Sequence, residues 1–151
     1  MKNFVMNLAV IGLLVFTVGC AAVGYSYNQQ RATARSGGDM GMTAIVDQLD
    51  PTSKEQLESY ALFLDEILIL LDSGKVGVMT QAQLTTELNK IVPLKYQVYT
   101  VSLTAILGGL NIPVNSVLPQ KAIVLMKDFV NGSKTAVNQY TVGMNAKTET
   151  K

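Results

Sequence analysis

Few side chains in this sequence are equipped for chemistry. It contains no His and no Trp, and its single thiol is Cys20. His-dependent triads, His/Cys zinc sites and an internal disulfide are therefore excluded. Asp65 and Glu66 are adjacent carboxylates within an apolar stretch, and paired carboxylates serve as acid and base. Neighbours on a helix point about 100° apart, so these two do not converge on one bond as a glycosidase pair must; a solvated helix face explains them better. Asp47 and Asp50 lack the dense oxygen-ligand loop of a calcium site and read as helix-end charges. Gly37-Gly38-Asp39-Met40-Gly41 has the glycines of a phosphate loop without the Lys-Ser/Thr that should follow, and Gly132-Ser133-Lys134 lacks the upstream glycine. Both read as turn or linker glycines, and Asn131-Gly132 reads as a helix stop. A Ser-Lys pair, assembled in space, is the one further catalytic arrangement these residue types allow. No catalytic residue, cofactor-binding residue or metal ligand is assigned.

Cys20 stands apart because of what precedes it. From Phe4 to Gly24 there is no charge and 16 of 21 residues are apolar, with Lys2 just ahead; this is a positive n-region followed by an apolar h-region. The run closes on Thr17-Val18-Gly19-Cys20-Ala21-Ala22, where small residues flank the only thiol. Over these first 22 residues the sequence resembles a bacterial lipoprotein precursor with its lipobox, although Thr17 stands where that family prefers Leu. The resemblance implies a diacylglyceryl thioether on Cys20, cleavage between Gly19 and Cys20, and acylation of the new amino terminus. In a Gram-negative envelope, Ala21 in place of Asp implies release to the outer membrane. One acyl chain holds a protein only marginally, but two or three hold it durably at about 0.8 kcal/mol per buried methylene. Two other readings fit the same residues. The apolar run is long enough for an uncleaved single-pass anchor of the inner membrane, which needs roughly 20 residues, and an ordinary signal peptidase cutting after Ala22 would release a free product.

The elements behind this segment read as helical. Tyr25 to Met42 is rich in Gln, Arg, Ser and Gly without apolar periodicity, the composition of a flexible linker spanning roughly 25 Å. A helix is expected from Asp50-Pro51, or from a Thr52/Glu55 capping box, to Asp72, with Leu57, Ala61, Leu64, Leu68 and Leu71 on one stripe and Tyr60, Phe63, Ile67 and Leu70 on the next. Thr80 and Gln83 form a second capping box, and Leu84, Leu88 and Ile91 give that helix its buried face until Pro93. Leu94 to Leu110 reads as a helix buried through Leu94, Val98, Val101 and Ala105, with a strand near 96–104 as the alternative because Tyr, Val and Thr favour it. Pro119 opens a fourth helix, closed at Asn131-Gly132, and a weaker amphipathic piece carries Val137, Tyr140 and Met144.

The expected architecture is all-α, a small bundle of about four helices (alternatively α+β), with residues 1–19 a signal peptide, 20–42 the lipidated start and linker, 43–145 the helical domain and 146–151 a polar tail. Without Lys2 the chain carries equal numbers of positive and negative charges, which favours neither nucleic acid nor an anionic surface as partner. The uncharged stretch Tyr96–Gln120 is broken by Gly108, Gly109, Asn111, Pro113 and Asn115 and reads as a core hairpin, since lipid would leave its polar groups unpaired. These features lead to the expectation of a non-catalytic envelope lipoprotein at the periplasmic face of the outer membrane. It would bind membrane lipid through acylated Cys20 and another envelope protein through its helices and need no cofactor, and the sequence gives no homo-oligomeric state. An envelope-polymer enzyme using carboxylates or a Ser-Lys pair, and a membrane-active lytic factor, are the alternatives.

Overall fold

Three of the helices start at one short motif, a Ser or Thr followed three residues later by Gln. In the computed structural model, which describes residues 24–48 and 53–149, α1 (Tyr27–Gln48) follows Ser26, α2 (Lys54–Asp72) follows Ser53 and α3 (Gln81–Ile91) follows Thr80. At each start the hydroxyl accepts the Gln backbone N–H, at 3.2–3.4 Å, and the Gln side-chain oxygen accepts the cap's N–H at 2.8 Å. Each box satisfies two donors that a helix start otherwise orphans. A 3-10 turn at Leu94–Tyr96 leads into α4 (Gln97–Gly109), another at Lys75–Val78 joins α2 to α3, and α5 (Gln120–Glu149) starts behind Pro119. Gly74 and Asn111 take the left-handed conformation, at φ 74° and 53°, where the chain leaves α2 and α4; glycine lacks the opposing Cβ, and asparagine is among the few residues that tolerate the strain.

Side-chain pairs give the helix directions. Asp72 pairs with Lys127 and Asp65 with Lys134, so α2 and α5 are antiparallel. Arg31 pairs with Asp128, and Asp47 accepts a hydrogen bond from Tyr140, so α1 and α5 run parallel. Short connections from α2 through α5 reverse the chain each time, as antiparallel neighbours do. The start of α1, the end of α2, the start of α3, the end of α4 and the start of α5 therefore share one end, the base. There the Leu118 N–H donates to the Met79 carbonyl at 3.1 Å, beside an isolated antiparallel bridge between Thr80 and Val117. No helix among the described residues is long and apolar enough to cross a membrane.

All five helices supply the core. Its middle is a chain of aromatic rings, Tyr60–Tyr96 at 4.8 Å, Phe63–Tyr99 at 5.5 Å and Tyr99–Phe129 at 5.7 Å, within the range where tilted ring pairs attract. Along α2 the buried residues are Leu57, Tyr60, Phe63, Leu64, Ile67 and Leu71, with Ala61, Leu68 and Leu70 packed partly against them. The two stripes read from the sequence are thus one apolar face.

The all-α class holds, and Tyr96–Thr104 is helical, but four local expectations change. The cap of α2 is Ser53 with Gln56, and the alternative starts at Asp50 to Thr52 fall outside the described residues. Helix α4 buries Tyr99, Leu103 and Leu107 and leaves Leu94 and Val101 exposed, because the tyrosine rings join the aromatic chain and turn the helix toward it. Gly132 does not stop a helix: α5 runs on through it and takes in both the weaker amphipathic piece and residues 146–149 of the expected tail. The expected flexible linker is, from Tyr27 onward, helix α1, packed along α5. Over most of the expected linker its buried residues are Ala34, Gly37 and Gly38, too small to register as apolar periodicity, and the large buried side chains, Met42, Ile45 and Val46, come only in its last turns.

Leu64 is fully buried whereas Leu68 is only partly so. Leu64→Ala is expected to cost ~2–5 kcal/mol, the range for a buried leucine that leaves a cavity, and Leu68→Ala distinctly less. Urea denaturation of both variants checks the order, and equal losses would contradict this packing.

Candidate functional site

The two glycine clusters that resemble fragments of phosphate loops meet in space. Residues Ala34, Gly37, Gly38 and Gly41 recur along α1 at the small-xxx-small spacing that lets helix backbones approach closely, and Gly38 meets Phe129 and Ser133 of α5 while Gly132 of α5 meets Arg35 and Asp39. A Cβ added to Gly38 would lie 1.8 Å from the Phe129 carbonyl oxygen, and one added to Gly132 would lie 1.8 Å from that of Arg35. No other residue type fits either position without separating the helices.

Ser133 fills the floor of this notch. Its hydroxyl accepts from the Tyr99 phenol at 2.9 Å and donates to the Gly38 carbonyl at 3.0 Å, with the Phe129 carbonyl a second acceptor at 3.2 Å. Burial raises the Tyr99 hydroxyl above the ordinary phenol pKa, and the bond to Ser133 only partly offsets this. Toward the base the Arg31 guanidinium grips Asp128 with two bonds, 2.6 and 3.1 Å. On the other side Tyr140 donates to Asp47, and burial, followed by the hydrogen bond to that carboxylate and its charge, pushes the phenol up to about 12.

The residues singled out by type are thus distributed between helices. Gly19, Cys20 and Asp50 lie outside the described residues. Asp65 is held by Lys134, while Glu66 beside it is exposed and turned away. Ser133 and Lys134 adjoin in sequence but face different helices, the hydroxyl toward α1 and α4 and the amine toward α2. Among the described residues no three Cys, Asp or Glu side chains gather as metal ligands would. Two depressions flank the crossing, one of about 350 Å³ lined by Arg35, Asp39, Gly132 and Thr135, the other of about 270 Å³ lined by Thr43, Tyr140, Gly143 and Met144. In the first, the Thr135 hydroxyl is bonded to the Asn131 carbonyl at 3.1 Å, Arg35 is exposed, and one oxygen of the half-buried Asp39 carboxylate is buried without a hydrogen-bond partner.

Sequence reading missed α1 and its notch, and two signals for them were present. Ser26-Tyr27-Asn28-Gln29 is a capping box of the same kind as Thr80 to Gln83, and the Ala34/Gly38 and Gly37/Gly41 spacing is that of a close helix contact.

Alanine normally gains about 1 kcal/mol over glycine inside a helix. At Gly38 and Gly132 the sign should reverse, with Gly38→Ala or Gly132→Ala losing about 1–3 kcal/mol or more by overpacking. At Gly143, where an added Cβ meets nothing within 4 Å, alanine should gain about 0.5–1 kcal/mol. Denaturant melts of the three variants test the split. A second expectation concerns alkali. The Tyr99 phenol is raised in the folded state from about 10 in the unfolded chain, so the unfolded state loses its proton first. The contribution of the neutral phenol is complete below about pH 10 and declines as pH rises toward the folded value. Tyr99→Phe should cost about 1 kcal/mol at neutral pH for the lost hydrogen bond and flatten the alkaline decline. A decline of unchanged slope in the variant would refute this role.

Compared with known proteins, the chain matches no family model, no curated protein and no solved structure, so its function is read from its own residues.

Proposed function

We propose that this protein is a lipid-anchored envelope protein, fixed by a diacylglyceryl thioether on Cys20 after hydrolysis of the Gly19–Cys20 amide, whose helical domain does structural or protein-binding work and no catalysis. The observation that carries this is the uncharged run from Phe4 that closes on Gly19-Cys20, the only thiol in the chain. The place proposed for it is the periplasmic face of a Gram-negative outer membrane, with lipid and another envelope protein as partners.

Two structural features support a non-catalytic domain. Asp47, Asp65, Asp72 and Asp128 each hold a side chain of another helix, and the one fully buried serine, Ser133, closes a helix crossing. Groups engaged in this way hold helices in register and are not aimed together at a shared substrate position. A short approach to the anchor fits as well. Five residues separate Cys20 from the α1 cap at Ser26, a stretch whose maximum reach is about 20 Å, so the domain would sit close above the lipid headgroups.

Intact mass of the protein extracted with detergent from a Gram-negative host, beside a Cys20→Ser variant, tests the proposal. The expected result is loss of residues 1–19 with added acyl mass, abolished in the variant. A full-length unmodified chain would refute lipidation and favour the uncleaved single-pass anchor.

A further inference from the structure

We infer that the base of the bundle is a lipid-contacting surface, on which the domain rests with Tyr25, Tyr27, Val78, Val114 and Val117 in the headgroup region of the membrane that holds its amino-terminal segment. The inference rests on the membrane attachment proposed above and adds which face of the domain meets the bilayer.

Apolar side chains are exposed there in spite of the core close by. Tyr25 and Tyr27 are about two-fifths exposed, Val114 and Val117 more than half, and Val78 is 76% exposed. They come from three separate parts of the chain, and the fold brings those parts to one end. The Lys121 amine lies 5.7 Å from the centre of the Tyr27 ring, which places the start of α1 beside the start of α5. Val117 stands four residues before Lys121 and bridges Thr80, and the Leu118 N–H bonds the Met79 carbonyl next to Val78. Other exposed apolar side chains are spread out: Leu62 and Ile69 along α2, Met40 on α1, Val101 on α4, Val142 on α5, and Leu94 at the opposite turn. Apolar groups that gather at one end while the rest are scattered mark an interaction surface.

Its occupant follows from where the chain enters. Residues 4–23 are uncharged and mostly apolar, and the described structure takes up the chain from them at Gly24, three residues before Tyr27. A segment that belongs to the membrane, by a lipidated Cys20 or by spanning it, therefore delivers the domain base first. The residue types suit that layer. Tyrosine concentrates at membrane interfaces, where its ring is apolar and its hydroxyl stays wet. Lys75 and Lys121, both exposed at this end, keep their stems along the apolar surface and their amines among headgroups. A lone valine on a surface needs no explanation; three of them with two tyrosines around the point where the membrane segment enters do.

The chain has no tryptophan, so single-tryptophan variants report one place each. Full-length protein carrying Val78→Trp, Val117→Trp or Leu94→Trp would be extracted from the envelope and reconstituted into phosphatidylethanolamine/phosphatidylglycerol vesicles with brominated acyl chains. Intact mass would be taken on the same samples. The expected result is blue-shifted, bromine-quenched emission at positions 78 and 117 and unquenched emission at 94. All three sites are exposed, and Val114→Trp provides a further base position if one variant folds poorly. Acylated, vesicle-bound protein with unquenched base tryptophans would overturn the inference and leave the lipid anchor standing. Quenching at the base in a full-length, unacylated chain would uphold it and overturn the anchor. Protein that neither carries acyl mass nor binds vesicles would overturn both. A blue shift without quenching that grows with protein concentration would assign the base to a second copy of the chain and overturn the lipid contact.

Discussion

The structure depends on the close approach of its first and last helices. Because α1 and α5 are parallel, no short loop can join them, and residues 49–119 lie between. The contact is remote in sequence, and at its crossing the first helix offers Ala34, Gly37 and Gly38 in place of large side chains. It relies on backbone nearly touching backbone at Gly38 and Gly132, where dispersion contacts are many and individually small, and on Ser133, which satisfies a carbonyl of each helix from inside the notch. Glycine inside a helix is locally unfavourable. Here two glycine-bearing helices are stable because each completes the other.

What could be read in the sequence follows the same division. Helix α2 was legible because Leu57, Leu64, Ile67 and Leu71 are large, and burying them writes a period into the hydropathy. Helix α3 was legible from its cap, Thr80 with Gln83. For α4 the helix could be read but not its orientation, since Val98 and Val101 compete with Tyr96 and Tyr99 on apolar content, and only the position of Phe63 and Phe129 decides for the tyrosines. Helix α1 was illegible by hydropathy because Ala34, Gly37 and Gly38 bury backbone and almost no side chain. Gly132 misled for a related reason: its local preference points to a helix end, and a tertiary contact with Arg35 overrides it. As for the proposed site, Gly19 and Cys20 were legible as a motif, but its relation to the domain was not, because that depends on where α1 begins.

Helix α5 is the member against which the others are set. Asp128, Lys127, Lys134 and Tyr140 lie along it, and together they reach α1 at both its ends and α2 at two levels. Exposed pairs of this kind contribute little stability, typically below about 1 kcal/mol. Their value is in register. The aromatic chain and the leucine face can tolerate a helix sliding by a turn better than three ion pairs and one phenol–carboxylate hydrogen bond can, since a slide would separate each carboxylate from its partner. Four aspartates, Asp47, Asp65, Asp72 and Asp128, are thereby accounted for within the fold.

Under the proposed anchor, the start of α1 would couple this internal arrangement to the membrane. Were Tyr25 to Met42 a flexible tether, the domain could tumble some 25 Å above an anchor at Cys20 and present any face to the lipid. Because Ser26 caps a helix already held in the crossing, only five residues lie between an anchor at Cys20 and that cap, and their maximum reach, about 20 Å, is shorter than the domain itself. Helix α5 alone is 30 residues long, about 45 Å. A body tied so closely at one end of its long axis cannot turn its far end to the same membrane. With the anchor proposed for Cys20, the direction in which the domain projects would be set by the glycine notch, and opening that notch would return to α1 the freedom that its composition alone suggests.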